Sequence, residues 1–171
     1  MTDDLFLRNR RTIAVITGET QGLGLAIAKR LAMEGAHGIT ISGRNADKGE
    51  NAAASIRSLG TDCLFVRADF SIADDCYRLK NVANANAAKR IRCNGILVGW
   101  MDTPGESVTQ QSFHGVSEDW LAKAERAQPM GQLVKPDQVA GLAAYMLSPE
   151  SGVMTGALVD YDQNVVGAYS E

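Results

Sequence analysis

Three glycines, Gly18, Gly22 and Gly24, stand between a short apolar run, Ile13-Ala14-Val15-Ile16, and a helical pattern that puts Ile27, Ala28, Leu31 and Ala32 on one face. So short and uniform a run suits a strand buried on both faces, and such strands belong to parallel sheets covered by helices. Gly18 permits a sharp turn out of the strand where a Cβ would clash. Gly22 and Gly24 let the backbone approach a ligand and let helix and strand pack closely. The helix N-terminus then offers unpaired N–H groups and a partial positive charge to an anion, above all a phosphate.

The pattern around this turn gives it weight, since glycine-rich turns alone are common. Gly35 stops the first helix, Ile39 to Ser42 reads as a second strand, and Ala46 to Leu59 as a second helix with Ala53, Ile56 and Leu59 inward and Gly60 past its end. Cys63-Leu64-Phe65-Val66 is a third strand, running out at Ala68-Asp69-Phe70. This β-α-β-α-β order is the mononucleotide-binding half of a doubly wound sheet. Ser71 and Asp74 resemble a capping box, so a third helix starts near Ile72, and no Pro or Gly breaks it before Arg90. A fourth strand covers Arg92 to Val98, followed by an irregular stretch holding Pro104, Gly105 and Gly115. Helices over Ser117 to Gln128 and Val134 to Leu147, the latter with Pro136 near its first turn, precede a last strand at Gly156 to Asp160. The expected fold is α/β: one Rossmann-type domain over residues 1–171, a doubly wound parallel sheet shortened to about five strands with helices on both faces. A single right-handed crossover over Ile72 to Arg90 would set the fourth strand beside the first, in the order 3-2-1-4-5. The cost is Arg92 and Asn94 in a central strand, each buried unsatisfied polar group being worth about 1–3 kcal/mol.

Composition narrows the function. At 171 residues there is room for one domain with a sizeable core, and the 45% hydrophobic and 22% charged content is an ordinary globular balance. A net charge of −3 offers no footprint for nucleic acid or an acidic membrane surface, and Arg8-Asn9-Arg10-Arg11 reads as a solvated entry to the first strand. Cys63, Cys76 and Cys93 form no CxxC pair and His37 and His114 are the only histidines, which argues against a zinc site and a disulfide framework. Free thiols suit a reducing compartment. With Asp3 and Asp4 at the start and no apolar run of membrane-spanning length, a cytoplasmic protein without a secretory signal is expected.

The end of the second strand should choose between nicotinamide cofactors. An acid there would hydrogen-bond the ribose hydroxyls, but this chain has Gly43 followed by Arg44, whose guanidinium can pair with a 2′-phosphate. NADP(H) is favoured over NAD(H), which stays possible; the alternative is that Arg44 is a solvated loop charge. Asp69, at the carboxyl edge of the sheet, suits either the adenine amino group or the cap of the next helix.

Together Thr17-Gly18-x-x-x-Gly22-Leu23-Gly24, Ser42-Gly43-Arg44-Asn45 and Ala68-Asp69-Phe70 resemble the short-chain dehydrogenases/reductases. The C-terminal half is similar too: Ile91 to Pro104 resembles the family's late strand and Pro-Gly-x-x-x-Thr loop, with Val98 for the proline, and Pro129 to Ala140 and Thr155 to Asp160 its final helix and strand. Asp162-Gln163-Asn164 stands where the family often has Asp-Gly-Gly. The resemblance implies that Gly18, Thr20, Gln21, Gly22, Leu23, Gly24, Arg44, Asp69 and Phe70 line the adenosine and phosphate site and that Thr103 reaches the nicotinamide carboxamide. It implies a carbonyl or alcohol substrate and a homodimer through the last helix and strand.

The middle departs from the family. Its Asn-Asn-Ala-Gly strand, its serine, and its Tyr-x-x-x-Lys pair, where a lysine and the nicotinamide charge lower the pKa of an acid/base tyrosine, have no counterpart here. The chain reads as internally shortened near residues 78–81, leaving no catalytic residue to name. Tyr77 and Lys80 share a helix face but sit one residue short of that spacing, and Tyr145, amid Leu142, Ala143 and Met146, reads as packed. Three functions follow: an oxidoreductase by lineage, a catalytically silent cofactor-binding module, or a dimerising interaction protein.

Overall fold

The computed structural model describes residues 7–17, 22–68, 90–117 and 119–164. Within them run β1 (Ile13–Ile16), α1 (Leu23–Met33), β2 (Gly38–Gly43), α2 (Ala46–Arg57), β3 (Asp62–Arg67), β4 (Gly95–Val98), α3 (Pro104–Phe113), α4 (Trp120–Arg126), α5 (Pro136–Leu147) and β5 (Leu158–Tyr161). The proposed 72–90 helix and the Tyr77–Lys80 pair lie outside the described residues.

The first half follows its pattern. β1, β2 and β3 form a parallel sheet with β2 central, Ile13 opposite Gly38 and Gly38 opposite Asp62. Alternation along the strands turns Ala14, Ile16, Ile39 and Ile41 toward α1 and α2, where Ala28, Leu31, Ala53 and Ile56 complete a buried core. Alanines dominate the helical side and allow close helix–sheet approach. Gly35 ends α1 in the left-handed region (φ 80°), as a helix stop requires. Leu59 departs from expectation: α2 ends at Arg57, leaving this side chain 44% exposed.

The five-stranded order does not form. β4 and β5 pair in parallel as a separate two-stranded sheet, and among the described residues no strand pairs with the outer edge of β1. A groove of about 350 Å³ separates β1 from β4, walled by Val15 and Ile16 on one side and Gly95 and Ile96 on the other, with α1 and α5 as its floor. The reason is where β4 is anchored. Its approach segment is fastened to the C-terminal end of α5 through Arg92, and α5 makes the most extensive helix–helix contact of the fold, with α1. β4 therefore takes its place from α5 and not from the edge of β1.

Other expectations are corrected alongside. Arg92 and Asn94 precede β4, which starts at Gly95, and both are satisfied: Asn94 donates to Met154 O (3.0 Å) and accepts from Ala157 N (3.1 Å). The stretch read as irregular after β4 holds α3. Thr103 caps it by accepting from Glu106 N (3.1 Å), and Pro104 at the first position needs no hydrogen-bond partner for its nitrogen. Arg8 is no solvated charge: it grips the buried Glu34 with Nε at 2.6 Å and Nη2 at 2.9 Å. Tyr145 is 41% exposed on α5 instead of packed.

Candidate functional site

A cleft of about 660 Å³ opens where β1 and α1 meet the segment after β4. One wall is Thr17, Gly22, Leu23 and Gly24, and α2 adds Lys48. The facing wall is Met101, Thr103, Pro104, Gly105 and Val108. The glycine turn and Thr103, eighty residues apart in sequence, are thus brought to one cavity.

The first wall presents a helix N-terminus. Gly22 stands immediately before α1 with φ 65°, a conformation costly for any residue with a Cβ, and nothing lies within 4 Å of where that Cβ would be. Gly22, at the N-cap, has no side chain to cap the first turn of α1, and among the described residues no other side chain does so. Its leading N–H groups, which lack carbonyl partners in any helix, therefore border the cleft together with the positive end of the helix dipole. Gly24 lies within α1, where it keeps the helix surface flat beside the cavity.

Arg44 follows the last residue of β2 and is exposed, at the sheet edge where ligands bind in open α/β folds. Its backbone carbonyl accepts from Arg67 Nε (3.2 Å), so a second guanidinium lies beside it. Sequence reasoning missed Arg67, as it missed Lys48, Met101 and Val108. Lys48 was findable: it falls in the first turn of α2, just beyond Asn45, which caps that helix by accepting Lys48 N (2.9 Å). Gly18, Thr20, Gln21, Asp69 and Phe70 lie outside the described residues.

The second wall is held from behind. Asp102 N donates to Val134 O and Val134 N to Trp100 O, each at 2.9 Å, which lays residues 100–102 beside the segment leading into α5. Lys135 Nζ then donates to Asp102 Oδ2 (2.8 Å) and to Glu125 Oε1 (2.5 Å). Hydrogen bonds that it donates to both carboxylates raise the Lys135 ammonium above its ordinary range, Asp102 contributing most. In front, Trp100 Nε1 and Gln110 Nε2 both donate to Glu106 Oε1 at 2.8 Å, fastening the start of α3. Among the described residues no group of His, Cys, Asp and Glu could hold a metal ion, and no helix is long and apolar enough to cross a membrane.

A family model described as short chain dehydrogenase matches residues 12–88, and one described as Enoyl-(Acyl carrier protein) reductase matches residues 77–163. An NADP-dependent (R)-specific alcohol dehydrogenase of Lentilactobacillus kefiri is 49% identical over 72 residues, 42% of this chain and 26% of that protein. The oxidoreductase UcpA of Escherichia coli K12 is 38% identical over 88 residues, 51% of this chain and 32% of its own length. The chain thus spans about a third or less of the curated relatives it matches. L-Sorbose reductase from Gluconobacter frateurii, solved with NADPH and L-sorbose, superposes with a TM-score of 0.72 at 17% identity, covering 96% of this chain and 100% of that one. A 3-oxoacyl-(acyl-carrier-protein) reductase from Agrobacterium tumefaciens with NADP bound gives 0.71 at 15% identity, covering 96% and 98%. These likenesses establish the Rossmann-type fold despite the divided sheet.

Proposed function

The chain belongs to the short-chain dehydrogenase/reductase family, and from that premise we propose that it binds NADP(H) in the cleft between the glycine turn and the Thr103 wall. The observation that carries this reading is the cleft itself, an anion-receptive helix N-terminus facing Thr103 across a cavity of dinucleotide size. Gly18, Thr20, Gln21, Gly22, Leu23 and Gly24 would cradle the pyrophosphate, and Asp69 and Phe70 the adenine. Arg44 would take the 2′-phosphate, with Arg67 adding positive charge beside it. Thr103 would meet the nicotinamide carboxamide. The names of the NADP-dependent relative and the NADPH-bound neighbours support NADP(H) over NAD(H).

By lineage the reaction is hydride transfer between cofactor and a small carbonyl or alcohol; the bound nicotinamide supplies the hydride, and an acid/base group on the protein must supply the proton. The sequence contains no Tyr-x-x-x-Lys pair to fill that role, so cofactor binding is the activity we assign as retained and turnover as severely impaired. The two family matches overlap at residues 77–88, which supports a single domain internally shortened near 78–81. A homodimer through α5 and β5 fits the side chains that end of the molecule exposes, Val153 at 94% and Leu158 at 72%. Free Cys63 and Cys93 fit the cytoplasm.

Titration of the purified protein with NADPH and NADH, followed by nicotinamide fluorescence, tests the assignment. Saturable binding that favours NADPH is expected, with Arg44→Ser weakening NADPH roughly tenfold and leaving NADH unchanged. If neither cofactor binds at millimolar concentration, the family resemblance records ancestry alone.

A further inference from the structure

We propose that Lys135 is a positioning residue for the cofactor, acting through Asp102 to set the Thr103 wall of the cleft; the inference rests on the cofactor reading above. Residues 100–102 run extended beside Val134, so neighbouring side chains point to opposite sides. Met101 and Thr103 line the cleft, whereas Asp102, between them, turns away and meets Lys135. The orientation of Asp102 therefore fixes that of the two cleft residues flanking it.

Lys135 is itself fixed from two further directions. Its ammonium also holds Glu125 of α4, and its backbone N–H donates to Gln138 Oε1 (3.0 Å) at the start of α5. One cation thus ties the cleft wall to two helices that do not line the cavity. The side chains of Lys135, Asp102 and Glu125 are 34%, 28% and 26% exposed, so solvent screens the triad only in part. Thr103 is committed at the same time as the cap of α3, so a rotation at Asp102 would misplace both the hydroxyl and the helix that follows. Lys135 meets the Thr103 wall and not the opposite one, where α1 begins at Leu23. The two ends of a dinucleotide should therefore respond differently to loss of this cation.

The test uses that asymmetry. NADPH and adenosine 2′,5′-bisphosphate, the half-cofactor that lacks the nicotinamide, are titrated into the full chain and its Lys135→Met variant. Lys135→Met is expected to weaken NADPH roughly fivefold and to leave the half-cofactor within error of the parent. In a Thr103→Ala background the same substitution should cause no further loss, because the wall it acts through is gone. Asp102→Asn, which keeps the shape and removes the charge, supplies the same readout if Lys135→Met does not fold. Equal weakening of both ligands, or an undiminished loss in the Thr103→Ala background, overturns the positioning role while the cofactor reading stands. A parent protein that binds the half-cofactor and NADPH equally well also overturns it, since Thr103 then contributes nothing. Failure of the parent to bind either ligand overturns both.

Discussion

Arg92 shows how far a single side chain can decide where a strand sits. Its Nη1 donates to Met146 O (2.6 Å), Ser151 Oγ (2.7 Å) and Met154 O (3.2 Å), and its Nη2 to Leu147 O (2.9 Å) and Ser148 O (3.0 Å). Several of these are the last carbonyls of α5, which have no partners within the helix and sit at its negative end. Arg92→Ala should cost about 1–3 kcal/mol in denaturant unfolding, because Leu147 O loses its donor, whereas Met146 O and Ser148 O keep Ser151 Oγ and Met154 O keeps Asn94 Nδ2. Arg92→Lys should recover less than half, since an ammonium cannot reach so many acceptors with one planar fork. From sequence Arg92 was legible only as a charge on a strand, because spacing reports which face a residue takes and not how far its side chain reaches. Glu34 contributes to the pH dependence of stability. Burial would raise its carboxyl, but hydrogen bonds from Arg8, Arg30 and Asn9 prevail and hold it below its ordinary value of 4.5. A lowered folded-state value means that the stabilisation is complete above the unfolded value and is lost as pH falls through the folded one. Glu34→Gln should therefore flatten the acid limb of stability against pH below about 4.5, and an unchanged limb would assign acid sensitivity elsewhere.

At the scale of elements, the β-α-β-α-β half was legible because its signals are local: short apolar strands, amphipathic helices and glycine stops of matching period. α3 was equally local and still missed. Thr103, Pro104 and Glu106 spell a helix start, a capping hydroxyl with proline next and an acid in the first turn, but Pro104 and Gly105 are also common in irregular chain, which hides it. The break between the two sheets could not be read, since strand order depends on what a strand's flanks are tied to. Packing between α2 and β3 gives a test at this scale. Gly49 lies buried inside α2, and a Cβ there would overlap the ring of Phe65 on β3. Alanine would gain about 1 kcal/mol of helix propensity, against about 1–3 kcal/mol for forcing a ring aside in a packed core. Gly49→Ala should thus be destabilising by about 1 kcal/mol in chemical denaturation. A stabilised variant would show that Phe65 yields freely and that the glycine serves no packing purpose.

For the molecule as a whole, the question is whether two sheets that share no hydrogen-bonded strand among the described residues behave as one body. The core answers through helices. Ala144 of α5 belongs to the same buried cluster as Ile16, Leu31 and Ile39, and Asn9, fully buried, donates to Ala144 O (3.3 Å) and to Glu34 at the end of α1. Through Arg92 the approach to β4 hangs on that same α5. Unfolding either sheet therefore exposes the α1–α5 contact on which the other depends, and a single cooperative transition should result. The cofactor cleft sharpens the test, because its walls come from the two halves. A ligand at 100 times its dissociation constant adds about 2.7 kcal/mol, which for a chain of this size raises the melting temperature by roughly 5–10 °C. Calorimetry with saturating NADPH should move one peak by that amount, with calorimetric and van't Hoff enthalpies in agreement. Adenosine 2′,5′-bisphosphate at the same multiple of its own dissociation constant should move it equally, although it reaches only the glycine-turn wall. Two peaks, of which the half-cofactor shifts one and leaves the other in place, would mean that β4, β5 and their helices fold apart from the first sheet. The cleft would then form only when NADPH draws the halves together.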